Sequence, residues 1–336
     1  MPSRRDCCAA APNQACCPAA VLAPRVSPSN RRNSDKPGAV TEMAQAKIGF
    51  LGTGIMGFQM ARRLCEAGYP LTAWNRSRDK AERLSAFGAE IAEDPTSAVA
   101  GCDIVICMLS SGPVCDEVLY DQGALAAMPK GSLLVVMSSI PVETAHAQAQ
   151  RAAERGLRYI DAPVSGGEGG ATEGRLVIMA GGETADVEAA KEVFAVLGRV
   201  TPVGPAGSGA LAKLANQVIV ANTIATVAEA LLLAKQGGAD PAAVREALLG
   251  GFADSTILRV HGKRMLEGDF APGGPVKHQL KDVATATALA ETLDLELPVT
   301  TLVQELFESL AAHGGGDRDH SALYLELLRR NGLPAD

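Results

Sequence analysis

The pattern of apolar and polar positions divides the chain into an alternating part and a helical part. From Lys47, segments of helical period at 55–67, 79–87 and 185–197 alternate with short apolar runs. The runs are KIGFLG, PLTAWN, CDIVICML, GSLLVVMSS, RYIDAPVSG and RLVIMAGG, with one more short strand near Val200. Most are almost continuously apolar, as parallel strands covered on both faces are. Such alternation predicts an open, doubly wound α/β sheet of the Rossmann type.

After residues 205–209 only helical periodicity remains, broken at 237–238, 250–251, 272–275, 298 and 314–316. We therefore predict an α/β domain over residues 44–206, followed by an all-α C-terminal domain over residues 207–336. A long helix that starts at Ser208 would join the two. The second domain is expected to carry substrate and subunit contacts.

The first 43 residues share neither pattern. They are rich in Ala, Pro, Ser and Arg, and they lack the apolar core of a secretory signal. We expect them to be disordered. An upstream start codon is the favoured interpretation, with Met43 as the natural beginning. A segment with several Arg and few acidic residues also resembles an organelle transit peptide. We expect a cytoplasmic location, and organelle targeting by residues 1–43 is the alternative.

Composition and charge exclude several classes of function. The 336 residues carry a formal net charge of −7 and are 47% hydrophobic, and the basic residues form no stripe, so we expect no nucleic-acid partner. Polar residues interrupt the longest apolar run, so we expect no membrane span. The eight Cys form no CxxC pair and the five His are scattered. We therefore expect no metal site, and a reduced compartment.

The segment GFLGTGIMG places three glycines between a predicted strand and a predicted helix. Gly52, Gly54 and Gly57 have the spacing of a dinucleotide-binding turn, and Ile55 and Met56 lie within it. Glycines there allow a tight turn and let a pyrophosphate approach the helix N-terminus, which favours anions. An ordinary Gly-rich turn is the alternative, but the strand and helix on either side favour a cofactor.

The tip of the second predicted strand indicates which dinucleotide binds. NAD sites usually carry an acidic residue there, but this chain has Asn75, Arg76 and Ser77. The guanidinium of Arg76 could lie across a 2′-phosphate, whereas a solvated surface Arg is the alternative. We expect NADP(H) to be preferred, with NAD(H) as the second choice.

The long helix carries a charged residue one turn from its start. Lys213 shares a helix face with Asn216 and Gln217, although most of the first half of this helix is apolar. A lysine that extends its ammonium to water is one interpretation, and a reactive lysine is the other. Spacing alone does not separate them.

Together these segments resemble the β-hydroxyacid dehydrogenase family. The likeness extends from Lys47 to about Asn331, and four motifs carry it: GFLGTGIMG, DAPVSGG at 161–167, GSGALAKLANQ, and KHQLKD at 277–282. Within the family, the segments KLANQVIVA, GGFADST and DHSAL are most similar to the tartronate semialdehyde reductases.

The resemblance implies roles for individual residues. Lys213 would be the catalytic lysine and would donate a proton to the substrate oxygen, for which its pKa must fall towards neutrality. Many members have Asn where this chain has Gln217, so the amide that touches substrate stays open between Asn216 and Gln217. Substrate carboxylate would bind at Ser165, Gly166 and Gly167, and the cofactor would be lined by Met108, Leu109, Ser139 and Lys281.

The resemblance also implies the reaction. We expect NADPH-dependent reduction of tartronate semialdehyde to D-glycerate. The substrate class would be small carboxylated aldehydes or hydroxy acids. The protein would form a homodimer or a homotetramer. Reduction of glyoxylate or succinic semialdehyde, or oxidation of 3-hydroxyisobutyrate, is the alternative within the family. A non-catalytic NADP-binding module and an imine reductase are the alternatives from other classes, and the presence of Lys213 counts against both.

Overall fold

The alternating part of the chain forms one nine-stranded sheet in the computed structural model, which describes residues 45–334. The predictions for residues 1–43 lie outside this range. The strands are β1 (Ile48–Leu51), β2 (Leu71–Trp74), β3 (Glu90–Ile91), β4 (Ile104–Cys107), β5 (Leu133–Val136), β6 (Arg158–Asp161), β7 (Val164–Ser165), β8 (Leu176–Gly182) and β9 (Gly198–Gly204). Their order is β3-β2-β1-β4-β5-β6-β8-β7, and β9 pairs with β8.

Six neighbouring strands, in the order β3-β2-β1-β4-β5-β6, are all parallel. The chain runs outward from β1 through β2 and β3 on one side, and through β4, β5 and β6 on the other. The strand order therefore reverses between β1 and β4, and the carboxyl ends of these strands open a crevice there. This arrangement confirms the predicted doubly wound sheet.

The sheet departs from the prediction after β6. The run RYIDAPVSG, predicted as one strand, forms β6 and β7, and both pair antiparallel with β8. Pro163 lies in the break and has no amide hydrogen for a strand ladder. The chain therefore turns, and Val164 pairs with Ile178 of β8.

Fifteen helices accompany the sheet and complete the chain within residues 45–334. They are α1 (Ile55–Glu66), α2 (Arg78–Glu82), α3 (Pro95–Val99), α4 (Gly112–Asp116), α5 (Ala124–Ala127), α6 (Val142–Glu154), α7 (Gly167–Glu173), α8 (Thr184–Ala189), α9 (Lys191–Leu197), α10 (Ser208–Gln236), α11 (Pro241–Leu248), α12 (Thr256–Glu267), α13 (Val276–Thr292), α14 (Pro298–Leu310) and α15 (Leu323–Arg330). Short 3₁₀ or π segments cover Glu117–Asp121, Ala311–Gly315 and His320–Ala322.

Two predicted helices are each divided. The segment 79–87 consists of α2 and a 3₁₀ turn at Arg83–Phe87, which Gly88 ends in the left-handed conformation. The segment 185–197 consists of α8 and α9, and Ala190 separates them. Ala190 is fully buried and keeps the apolar period, so periodicity alone does not locate this break.

Helix α10 is the central element of the second half. Its buried residues belong to a core shared with α12, α14 and α15, including Val303, Phe307 and Leu323. By length and composition the helix could cross a membrane, since an 18-residue window reaches a mean hydropathy of 1.7. The polar interruptions thus do not by themselves exclude a span, contrary to the expectation from the sequence. Within the fold, one face of α10 packs against α12, α14 and α15.

The N-terminus of α10 is held against the sheet. The buried carboxylate of Asp161, at the end of β6, accepts from the amides of Gly207 and Ala210, each at 2.7 Å. Gly207 has φ +90°, and a side chain at Gly209 would clash with the carbonyl oxygens of Asp161 and Met179. Residues 45–334 belong to one compact unit, and the domain boundary at 206/207 remains a prediction.

Candidate active site

The glycine turn between β1 and α1 has the geometry of an anion site. Gly52 has φ +101°, and a side chain there would clash with the carbonyl oxygen of Met108. A side chain at Gly57 would clash with Gly52 itself, whereas a Cβ added at Gly54 would have no neighbour within 4 Å. Gly54 precedes α1 and offers no side-chain cap, so the first amides of α1, from Ile55 and Met56 onward, can bind an anion.

The tip of β2 is attached to this turn. The Thr53 amide donates to Asn75 Oδ1 at 3.0 Å, and Asn75 Nδ2 donates to the Ser77 carbonyl at 3.0 Å. Arg76 and Ser77 are exposed, and Arg76 has no ion pair within residues 45–334. The buried hydroxyl of Thr53 also lacks a hydrogen-bond partner in this range. An unpaired guanidinium, free amides and an unpaired hydroxyl fit a dinucleotide with several phosphate oxygens.

The ends of β4 and β5 form the next part of the site. The Met108 amide donates to Leu51 at 2.8 Å, and the Leu109 amide donates to the Ser138 hydroxyl at 2.7 Å. These bonds place Met108 and Leu109 beside Gly52 and next to Ser139. The predicted cofactor-lining residues from three separate segments therefore lie at one edge of the sheet.

A cavity of about 220 Å³ lies where this edge meets the helical part. It is lined by Ser111–Pro113, Ser139–Pro141, Lys213, Leu214, Lys281, Asp282 and Thr285. A larger cavity of about 460 Å³ lies between α13 and α14 and contains no predicted site residue. Because the smaller cavity brings both predicted lysines and Ser139 together, its chemistry identifies it as the candidate active site.

Lys213 is held at this cavity by two oxygen atoms. Its Nζ donates to the Val164 carbonyl at 3.0 Å and to Gln217 Oε1 at 3.1 Å. Burial lowers the pKa of Lys213, the Asp282 carboxylate opposes this shift, and the charge of Lys281 adds to it. A lysine with a lowered pKa gives up its proton more readily than an exposed lysine does, as a general acid requires.

Gln217 uses all of its hydrogen-bonding capacity inside the protein. Its Oε1 accepts from Lys213 and also from Asn216 Nδ2, the latter at 2.8 Å. Its Nε2 donates to Asp282 Oδ2 at 2.7 Å and to Gln279 Oε1 at 3.4 Å. An amide has two donor hydrogens and two acceptor lone pairs, so Gln217 is saturated.

Asp282 connects the two lysines. Its Oδ1 lies 2.9 Å from Lys281 Nζ, and its Oδ2 accepts from Gln217. Lys281 also donates to the Ser139 carbonyl at 3.1 Å. Lys281 is thereby fixed at the sheet edge on the side of the predicted cofactor.

The predicted carboxylate loop adjoins Lys213 but does not line the cavity. Ser165 follows Val164, whose carbonyl binds the lysine, and it is half-buried. Gly166 and Gly167 are exposed, with φ +133° and φ +62°. Such positive φ values favour glycine and direct backbone amides into the open space at the start of α7.

Several polar residues around the site were not identified from the sequence. Asp161 anchors α10. An acidic residue at the end of an apolar strand is unusual, and this feature could have identified Asp161 from the sequence. The histidines are also less scattered than predicted, because His261 and His320 lie with Asp319, their nitrogen and oxygen atoms within 4.8 Å of one another. Arg264 Nη1 lies 3.1 Å from Asp319 Oδ2, and a guanidinium at this carboxylate disfavours a metal cation.

Both halves of the chain match models of known families. Residues 47–204 match the NAD binding domain of 6-phosphogluconate dehydrogenase. Residues 207–327 match the NAD-binding domain of NADP-dependent 3-hydroxyisobutyrate dehydrogenase. The chain is also 46% identical over 294 residues to 2-hydroxy-3-oxopropionate reductase from Escherichia coli strain K12, across 85% of this chain and 99% of that protein.

Solved structures agree with these matches. The 3-hydroxyisobutyrate dehydrogenase of Mycobacterium tuberculosis with L-serine has a TM-score of 0.77 at 28% identity, over 84% of this chain and 99% of that one. A protein named Psf3, solved in complex with NADP⁺, has a TM-score of 0.78 at 25% identity, over 83% and 99% of the two chains. The chain therefore belongs to the 3-hydroxyisobutyrate dehydrogenase-like family of β-hydroxyacid dehydrogenases and is an NAD(P)-dependent oxidoreductase.

Proposed function

We propose that the protein is an NADPH-dependent reductase of tartronate semialdehyde and forms D-glycerate. The observation that carries the catalytic part is the half-buried Lys213, which lines the same cavity as Lys281 and Ser139 and whose pKa desolvation lowers. The 46% identity to 2-hydroxy-3-oxopropionate reductase supports the choice of substrate, since that name denotes the same aldehyde.

In the proposed reaction Lys213 acts as the general acid. The aldehyde oxygen lies at the ammonium, and as the carbon–oxygen π bond breaks, one Nζ proton passes to that oxygen and leaves a neutral amine. A bound nicotinamide supplies the hydride for the carbonyl carbon. Burial favours the neutral amine, and the same lysine can take the proton back when the alcohol is oxidised.

Substrate is oriented by groups that still have free hydrogen-bonding capacity. The Ser165 hydroxyl and the amides of Gly166 and Gly167 bind its carboxylate, next to the carbonyl of Val164 that fixes Lys213. Among residues 45–334, Asn216 makes one side-chain hydrogen bond, to Gln217, so its oxygen and a second hydrogen are available to substrate. We therefore assign substrate contact to Asn216, and assign Gln217 to holding Lys213.

The nucleotide is held by the groups at the sheet edge. The N-terminus of α1 at Gly54–Gly57 binds the pyrophosphate, and Met108, Leu109, Ser139 and Lys281 lie towards the nicotinamide. Arg76, exposed and unpaired, pairs with the 2′-phosphate. This arrangement supports a preference for NADP(H), because no acidic residue at 75–77 competes for a ribose hydroxyl.

The experiment mixes purified protein with tartronate semialdehyde and follows NADPH and NADH separately. We expect rapid NADPH oxidation that falls by a factor of about 10²–10⁴ in Lys213→Met, the usual contribution of a general acid. In Arg76→Gln, the KM for NADPH should rise roughly tenfold, as for loss of one charge-assisted bond, and the KM for NADH should not change.

Other outcomes separate the parts of the proposal. Equal use of both cofactors would contradict the role of Arg76 and leave the reductase assignment in place. No oxidation of either cofactor would exclude tartronate semialdehyde as substrate. Glyoxylate, succinic semialdehyde and 3-hydroxyisobutyrate, the alternatives within the family, would then be measured on the same preparation.

A further inference from the structure

A line of buried and half-buried polar side chains continues from the active site into the helical part. Gln217 Nε2 lies 3.4 Å from Gln279 Oε1, which lies 3.3 Å from His320 Nδ1. His320 Nε2 lies 3.2 Å from His261 Nε2. These side chains come from α10, α13, the 3₁₀ turn at 320–322, and α12, and the proposed reaction uses only Gln217.

The direction of each hydrogen bond in this line follows from one carboxylate. Asp282 can only accept, so the atom of Gln217 that faces it at 2.7 Å is the nitrogen. That nitrogen also faces Gln279 Oε1, and Gln279 Nε2 donates to the Gln217 carbonyl at 3.3 Å. Gln279 Oε1 is therefore an acceptor, and His320 must donate to it from Nδ1.

The state of His320 fits this requirement. Burial lowers the pKa of His320 to about 4, His261 lowers it too, Asp319 opposes the shift, and the charges of Arg264 and Lys213 add to it. A neutral His320 with its proton on Nδ1 accepts at Nε2, so His261 donates to it from Nε2. On the other side of the His261 ring, Nδ1 lies 3.5 Å from Asp319 Oδ1.

Hydrogen bonds to the neighbouring Asp319 hold the histidine pair in place. The buried Asp319 carboxylate accepts from Arg264, from the amides of Gly273 and Gly274, and from Ser321. Since Asp319 precedes His320 in the chain, these bonds fix where the imidazole lies. The last side chain before Gln279 is thus rigidly placed.

We propose that His320 is a positioning residue for Lys213: it donates from Nδ1 to Gln279, which together with Asp282 holds the Gln217 amide with its oxygen towards the ammonium. The inference rests on the proposed role of Lys213 as proton donor. No proton travels along the line, because amides do not titrate near neutrality. Without the His320 donor, Gln279 can rotate and direct its NH₂ at that of Gln217. The two NH₂ groups repel each other, so the Gln217 side chain shifts from its place at Asp282, and its bond to the ammonium weakens.

The test compares three variants that differ in the donor at this place. His320→Leu removes it, His320→Asn keeps an NH₂ near the position of Nδ1, and His320→Gln places its amide near the position of Nε2. Two quantities are measured: the alkaline limb of kcat for reduction, and the pH dependence of Lys213 acetylation by acetic anhydride, followed by mass spectrometry. The second needs neither substrate nor cofactor.

We expect the alkaline limb and the acetylation midpoint to move about one pH unit towards acid in His320→Leu and His320→Gln, the size of one charge-assisted bond. His320→Asn should stay near the native values. Unchanged midpoints in both Leu and Gln variants, whatever their melting temperatures, would overturn the proposal and leave His320 a packing residue. If His320→Leu does not fold, the comparison of His320→Asn with His320→Gln decides.

Absence of reductase activity would contradict the proposed function, and the acetylation measurement would still decide this inference.

Discussion

At the scale of single residues, the site is defined by which atom holds each proton. In the part of the chain that the structure describes, the Lys213 ammonium donates to two oxygen atoms, those of Val164 and Gln217, and binds no carboxylate directly. Neutral acceptors stabilise the cation less than a carboxylate would, so burial can lower the pKa. Asp282 is close enough to oppose the shift, but its oxygens are used by Lys281 and Gln217.

The lowered pKa of Lys213 predicts opposite pH profiles for the two reaction directions. Reduction needs the protonated lysine, so its kcat should fall as pH rises through the lowered pKa. Oxidation of the alcohol needs the neutral amine, so its kcat should rise over the same range. Initial rates between pH 6 and pH 11 would measure both limbs.

The control for this pH prediction is Lys213→Arg. A guanidinium stays charged throughout the range, so the variant should have a low rate and lack the limb in reduction. A limb that persists unchanged in Lys213→Arg would assign it to another group, and Lys213 would then not be the titrating acid.

At the scale of secondary structure, helix α10 determines where Lys213 lies. The helix starts at a turn fixed by Asp161, which binds the amides of Gly207 and Ala210. The lysine follows one turn later, so a shift of this helix start displaces the ammonium relative to the sheet edge. Gly209 allows the helix to approach β6 and β8 closely, since a side chain there would clash with Asp161 and Met179.

Substitution of Gly209 by Ala should therefore affect both stability and catalysis. The clash involves backbone oxygens that cannot move aside, so we expect a loss of roughly 2 kcal/mol, as for overpacked sites. That corresponds to a fall of about 3 °C in Tm for a chain of 336 residues. Differential scanning calorimetry and kcat would be measured together, and we expect both to fall.

Gly169→Ala is the matched control, because this position is also in a helix and has no atom within 4 Å of an added Cβ. Alanine favours helix, so its Tm should stay the same or rise slightly. Equal Tm changes in the two variants would show that the approach of α10 to the sheet is not tight.

At the scale of the whole molecule, the site requires both halves of the chain. The sheet supplies the glycine turn and Ser139, whereas α10 and α13 supply Lys213 and Lys281, and the cavity of about 220 Å³ lies between them. It opens beside the carboxyl ends of β4 and β5, where doubly wound sheets bind ligands. A lysine from the helical half thereby faces a cofactor held by the sheet.

The surface of the helical half predicts assembly into two or four copies. Only 39% of the most apolar 18-residue stretch of α10 is buried. The side chains of Ile219, Leu233 and Phe252 are strongly exposed. Apolar surface of this extent commonly marks an interface. Light scattering should give two or four times 34.7 kDa, and a single-copy mass at micromolar concentration would contradict the prediction.

Local patterns in the sequence determined the parts of the structure that depend on near neighbours. Apolar runs and helical periods predicted the parallel strands and α10, and glycine spacing predicted the turn before α1, because these depend on backbone geometry within a few residues. The resemblance then identified Lys213, Lys281 and Ser165 as candidates. The segment RYIDAPVSG was predicted as one strand, so neither the break at Pro163 nor the antiparallel return onto β8 was predicted from the sequence.

The tertiary structure alone decided which distant polar groups meet. Gln217 binds residues 62 and 65 positions away in the chain, and His261 meets His320 across 59 positions. No local period records such pairs, because they depend on how α10, α12 and α13 pack. Inside the protein a polar group must find a partner or lose free energy, so the packing of these helices fixed the hydrogen bonds around Lys213 and, with them, its proton affinity.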